Sequence, residues 1–221
     1  MTSNQIAWDV LMMPDYRADN PYQTLLSTAL ETEGIKVHFP QGYRRVLPLL
    51  RAMKDATDTT RILHLHWIDT YIKGQNRFMK LSYGLKLLLD IFILRSAGYA
   101  VVWTIHNTVS HDAKFPKLER WIQRRLIQLV NKIIIHSQAA RAEIANTYQI
   151  DLFKASVISH GHYRDFYLPA VSAQTARDRL NLPHHKRIFL TFGMLRPYKG
   201  IENLLRVWHR QQIQNRKLLI C

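Results

Sequence analysis

"RFMKLSYGLKLLLDIFILRSAGYAVVWTIH", residues 77–106, holds the pattern that the rest of the chain repeats. Arg77 to Ser96 has helical length and composition, and Gly98 just beyond it supplies the stop. "YAVVWTIH", Tyr99 to His106, is then a β-branched, aromatic run of strand length. Another such run, "RILHLHWI" (Arg61 to Ile68), precedes the helix. Strand, helix and strand in this order make a right-handed βαβ unit with parallel strands.

The rhythm continues in both directions. Towards the N-terminus, "IKVHF" (Ile35 to Phe39) and "IAWDVLMM" (Ile6 to Met13) are strands. Between them lies a helix that Asn20 caps and Pro21 starts, running through "YQTLLSTALETEG". "YRRVLPLLRAMKDA" reads as mostly helical, with Pro48 a kink or a start. Beyond residue 106, "FPKLERWIQRRLIQLV" is a helix, "KIIIHS" a strand, Ser137 caps "QAARAEIANTY", and "ASVISHG" is another strand. Near-continuous Val/Ile/Leu strands alternating with amphipathic helices predict an α/β fold, a doubly wound parallel-sheet (Rossmann-like) domain.

Around "YRDFYLPAVSAQTARDRLNLPHHK" the pattern loosens, and "RIFLTFG" restarts it. The expected organisation is therefore a first domain over 1–170, then a linker and the beginning of a second domain over 171–221 that two strands and at most two helices leave incomplete.

Composition narrows the partners. With 47% hydrophobic residues in 221, the chain can bury a core. Its one cysteine, Cys221, builds no disulfide framework, which fits a reducing, cytoplasmic compartment. The N-terminus carries no basic segment followed by an apolar run of signal-peptide length. Thirty-one Lys and Arg against 16 Asp and Glu give +15, which calls for a polyanion, an anionic membrane surface or both, unless it is a solvated basic surface only. A nucleic-acid-binding module is the alternative of a different class, but no binding motif accompanies the scattered cations, so no nucleic acid is expected. The helix at residues 77–96 is interrupted by Asp90 and falls short of the roughly twenty apolar residues of a span. It is either buried between layers or, with Lys73, Arg77, Lys80 and Lys86 at its start, lies on an anionic bilayer as a peripheral element.

Ligands of open α/β sheets sit at the carboxyl ends of the strands. Those ends are polar and aromatic here: "MMPDYRADNPYQ", "HLHWID", "WTIHN", "IIHS" and "ISHGHY". Aromatic faces for stacking with His and Asn for hydrogen bonds suit a hydroxyl-rich, ring-shaped ligand, so His66, Trp67, Asn107 and His160 are candidate sugar- or acceptor-binding residues. His64 and His66 share a strand face, as the start of a metal site would, but no third ligand follows at a recognisable spacing and no metal is expected; the same holds for His160 and His162. "FGMLRPYKG", Phe192 to Gly200, breaks from a strand into a turn carrying Arg196 and Lys199, and Gly200 opens a further helix. Two cations beside a helix start predict a phosphate ligand.

Taken in order, "TIHN", "ISHGHYRDFY" and "FGMLRPYKGIENLL" resemble motifs of the retaining nucleotide-sugar glycosyltransferases of family four, which have the two-Rossmann-domain GT-B fold. The resemblance implies that Arg196 and Lys199 hold the donor diphosphate and stabilise it as a leaving group, that Gly193 and Gly200 let backbone approach the phosphates, and that His106 is the catalytic-site histidine positioning the donor sugar. It implies a nucleotide diphosphate sugar as donor substrate, no cofactor or divalent metal, and a glycan or lipid-linked acceptor in polysaccharide or glycolipid synthesis at the inner face of the plasma membrane. Two departures stand out. Met194 occupies the position where the family commonly has Arg, and "DNPYQ" replaces a Gly-Gly pair after the first strand, which gives Asp15, Tyr16, Asn20 and Tyr22 to acceptor selection. The family's acidic donor motif would lie beyond Cys221, so the chain is expected to be weakly active or silent by itself.

Overall fold

The computed structural model describes residues 8–40, 42, 45–106, 114–149, 152–211 and 214–221. The chain divides into two units, Met1–Tyr163 and Arg164–Cys221.

In the first unit the elements alternate from end to end: β1 (Asp9–Met13), α1 (Pro21–Thr32), β2 (Lys36–His38), α2 (Pro48–Asp55), β3 (Thr60–Leu65), α3 (Arg77–Ser96), β4 (Ala100–Ile105), α4 (Pro116–Leu129), β5 (Lys132–Ile135), α5 (Gln138–Tyr148) and β6 (Ala155–Val157). The six strands form one parallel sheet in the order β2-β1-β3-β4-β5-β6. The fold is α/β and Rossmann-like, as the alternation predicts. The order reverses between β1 and β3, which places a crevice at their carboxyl ends.

Local chemistry sets the element ends. Asn20 Oδ1 accepts the Tyr22 N–H at 2.9 Å and Pro21 occupies the first turn of α1. Asn76 and Ser137 cap α3 and α5 in the same way. Gly98 closes α3 at φ 86°, a left-handed conformation that only glycine adopts without strain, while the Tyr99 N–H reaches back to the Leu94 carbonyl. α2 lacks a cap of its own, since Leu47 before it has φ 47° and no capping side chain. Asp90, fully buried in α3, supplies one instead: its carboxylate accepts the N–H groups of Leu49 and Leu50 at 2.8 and 3.0 Å. The acid that breaks the apolar run of α3 is thus a cap for its neighbour.

The pleat sorts the strands into two faces. Odd-numbered positions, Leu11, Leu63, Leu65, Val101, Trp103, Ile133 and Ile135, join Leu49, Met53, Leu87, Ile91, Leu94, Ile122, Leu126 and Ile144 of α2 to α5 in one core. Even-numbered positions, among them Met12, His64 and Thr104, are buried on the other face. α3 and α4 approach so closely that a Cβ on Gly84 would lie 2.3 Å from Ile122 Cδ1, and a buried Lys80–Glu119 ion pair joins them beside that contact.

The second unit holds α6 (Ala173–Arg179), β7 (Arg187–Thr191), α7 (Ile201–Arg210) and β8 (Arg216–Ile220), with β7 and β8 paired in parallel. α6 lies inside the stretch where the sequence pattern loosens. Ser172 caps it, but it buries no residue, so it has no apolar stripe to be read.

Candidate active site at the carboxyl edge of the sheet

Three neighbouring strands each end on an apolar residue followed by histidine: Leu65-His66, Ile105-His106 and Ile135-His136. With His64 they all fall at even-numbered positions, on the face opposite the main core. His160 beyond β6 and Tyr22 in the first turn of α1 complete the group.

Tyr22 is its centre. Its ring lies 5.0 Å from His106 and 5.0 Å from His160 between centroids, and within 6 Å of His66, Trp67 and His136. Burial pushes its phenol up to about 12, against the opposing pull of the nearby Thr104 hydroxyl. Thr104 bonds His64 Nε2 at 2.8 Å. His64, held down to about 4 by burial, is committed to this bond.

His106 is gripped from two sides. Trp67 stacks on it at 4.3 Å and 11°, and His66 Nδ1 lies 3.3 Å from its Nε2. Burial first, then the neighbouring imidazoles of His136 and His160, hold its pKa down to about 3. His66 is likewise far below the usual histidine range, mainly through burial. At neutral pH these rings are uncharged. They can orient a hydroxyl as donor or acceptor, whereas a base with so low a pKa removes a proton poorly.

The hydrogen bonds also assign tautomers. A carbonyl only accepts, so His136 Nδ1 donates to Ile158 O at 3.0 Å and its Nε2 is left as an acceptor. That Nε2 and the Nε2 of His66 are buried without a hydrogen-bond partner among the described residues. His160 Nδ1 donates to Gly161 O, so its Nε2 accepts from Tyr163 Oη at 3.1 Å; Tyr163 also reaches Asn20 Oδ1 at 3.4 Å.

Of the residues expected from sequence, Asn20, Tyr22, His66, Trp67, His106 and His160 come together here. Tyr16 joins at the edge, 5.4 Å from Trp67. Asp15 lies on the same loop but is held in a two-pronged pair with Arg17, which keeps its carboxyl below the usual range. Asn107 lies outside the described residues. His136, Tyr163 and Gln23 belong to the site and were not singled out from sequence. Gln23, fully buried, ties the β1–α1 loop by accepting from Tyr16 N and donating to Pro14 O. The Ile-His pair closing β5 repeats the one closing β4, and that register was the available signal for His136.

In the second unit, the expected phosphate turn runs from β7 to α7. Gly193, at φ 113°, has Lys199 Nζ 2.8 Å from where a Cβ would stand, so the ammonium folds over a backbone that only glycine leaves open. Arg196 precedes a 3-10 turn, Pro197–Lys199, and is therefore set back from α7 by that turn. α7 begins at Ile201 without a side-chain cap, leaving its first N–H groups for a ligand.

The chain resembles known proteins in sequence and in fold. Glycosyltransferase Family 4 matches residues 34–166, more than half of the chain. A GDP-mannose:glycolipid 4-beta-D-mannosyltransferase of Xanthomonas campestris pv. campestris is 29% identical over 85% of this chain and 46% of its own length. A D-inositol 3-phosphate glycosyltransferase of Corynebacterium glutamicum is 25% identical over 92% of this chain and 46% of its own. The chain thus spans about half the length of the curated relatives it matches. Among solved structures, Anabaena HepE in complex with UDP-glucose superposes with a TM-score of 0.60 at 15% identity, over 96% of this chain and 60% of that one. HepE with UDP and glucose gives 0.58 at 16% identity, over 97% and 60%.

Proposed function

This chain belongs to Glycosyltransferase Family 4, and from that membership we propose that it forms the acceptor-side domain and the opening of the donor domain of a transferase moving a sugar from a nucleotide diphosphate sugar to a glycan or lipid-linked acceptor. The observation that carries the reading is the uncharged aromatic and imidazole cluster of Tyr22, His66, Trp67 and His106 at the strand-order reversal. Flat rings and neutral ring nitrogens match the alternating apolar faces and hydroxyls of a sugar. The donors and acceptors named for the relatives and for HepE, GDP-mannose, UDP-glucose, a glycolipid and an inositol phosphate, share that chemistry.

In this reading His106 positions the donor sugar, and Asp15, Tyr16, Asn20 and Tyr22 shape the acceptor side. Arg196 and Lys199 neutralise the diphosphate as the glycosidic bond breaks, with Gly193 and Gly200 giving the phosphates access to backbone. The turn needs no metal in this role, and the reaction sits on the cytoplasmic side of a membrane that carries the acceptor.

Retention of anomeric configuration is the finer part of the proposal. It rests on the family resemblance; the low pKa of His106 removes only that residue as the base that inversion needs to activate the acceptor hydroxyl. The test is sugar transfer from GDP- and UDP-sugars by an enzyme extended to the full length of its relatives, with the product anomer read by NMR. Arg196→Ala or Lys199→Ala should lower turnover about a hundredfold, the scale of losing one charge-stabilising donor. Unchanged turnover in both variants would remove the phosphate turn from the mechanism, and an inverted product would remove retention.

A further inference from the structure

The outward side of α3 is apolar. Phe78, Leu85, Leu89 and Phe92 are spaced by seven, four and three residues, which stacks them in one stripe along the helix. They are 79%, 48%, 53% and 56% exposed. The stripe is about 21 Å long at the usual helical rise. Gly84, Leu87, Ile91 and Leu94 already fill the inward side, so packing within the sheet does not account for the outer one. A surface helix normally presents polar groups there.

The charge around the stripe has one sign. α3 and α4 each contain a single carboxylate, Asp90 and Glu119, and both are buried, one on the N–H groups of α2 and the other on Lys80. What faces outward beside the stripe is Arg77 from α3, with Lys117 and Arg125 from the packed neighbour α4, Arg125 lying 5.8 Å over the ring of a 40% exposed Trp121; Arg120 and Arg124 are exposed on the flank of α4 towards α5, where Arg124 bonds Gln149 Oε1 at 2.9 Å.

We propose that this α3–α4 face docks on an anionic lipid surface, with the stripe of α3 in the boundary between headgroups and acyl chains and the cations over the headgroup charges. The combination selects this partner. A nucleic acid would use the cations but leave the aliphatic stripe in water. A second copy joined through the same patch would set cation against cation. Crossing the bilayer does not arise, since among the described residues no helix is long and apolar enough to do so. The proposal stands on the two helices and is independent of the transferase reading.

The experiment is co-sedimentation of the chain with vesicles of phosphatidylglycerol and phosphatidylcholine, or of phosphatidylcholine alone, at low and high salt. Binding at least tenfold tighter to the anionic vesicles, weakening as salt rises, is expected. Leu85→Gln with Leu89→Gln should weaken it tenfold or more while circular dichroism and the urea midpoint stay unchanged. Lys117→Gln with Arg125→Gln should weaken it roughly fivefold for each cation removed. Equal binding to both vesicles, or wild-type binding by both double variants, would overturn the proposal. So would a concentration-dependent dimer abolished by the leucine changes, which would give the face to a second copy. If the leucine variant loses its fold, the cation variant decides alone.

Discussion

Four imidazoles of the site, His64, His66, His106 and His136, are held below the ordinary histidine range, in each case first by burial. In the unfolded chain they titrate near 6.5, so below that pH the unfolded state takes up protons that the fold refuses. Stability is therefore complete above about pH 6.5 and falls as pH drops towards 4. His64 alone, at about 4 in the fold, removes about 2 kcal/mol by pH 5. The urea midpoint should drop clearly between pH 7.5 and 5. His64→Gln, which keeps a partner for Thr104, should flatten that slope by about 1.4 kcal/mol per pH unit at most, the value for one proton. A midpoint unchanged over this range would mean that the imidazoles titrate in the fold as they do in the unfolded chain.

The contact between α3 and α4 depends on the missing side chain of Gly84. Alanine there would gain about 1 kcal/mol in helix propensity. Its methyl would meet Ile122, which is fully buried and cannot swing away, so overpacking of about 1–3 kcal/mol should prevail. Gly84→Ala should lower the urea midpoint, and adding Ile122→Val, which removes the nearest methyl, should recover part of the loss; a stabilised Gly84→Ala would refute the packing argument. The sequence shows Gly84 only as a helix-weakening residue, because the atom it spares lies 38 positions away. What is local was legible: Asn20 and Pro21 announce α1, Gly98 ends α3, and the apolar runs mark the strands. α6 was not, because it buries nothing and so imposes no periodicity. For the site, strand-end position brought out His66, Trp67 and His160, and the resemblance carried by "TIHN" brought out His106. Tyr163 and Gln23 escaped because their roles depend on loop geometry that no residue spacing encodes.

The two units differ in how they are held together. Every described residue classed as buried lies in the first unit, whereas none in 164–221 does, so the core described above belongs to the sheet of β1 to β6 alone. Within that sheet, alternation along the sequence predicted the parallel α/β class but not the strand order, since order is decided by which crossover each helix makes. The borrowed cap of α2 bears on time as well as on form. A helix of eight residues is too short to persist by itself, and the carboxylate that closes its N-terminus arrives from a segment made about forty residues later. We therefore predict that α2 forms after α3, so that in the rate-limiting step of folding α3 and the strands around it are associated while α2 is still disordered. Alanine-to-glycine comparisons at the exposed positions Arg51 and Lys54 should accordingly change the unfolding rate and leave the refolding rate nearly untouched, giving φ-values near zero, against larger ones in α3. Values near one in α2 would reverse that sequence of events.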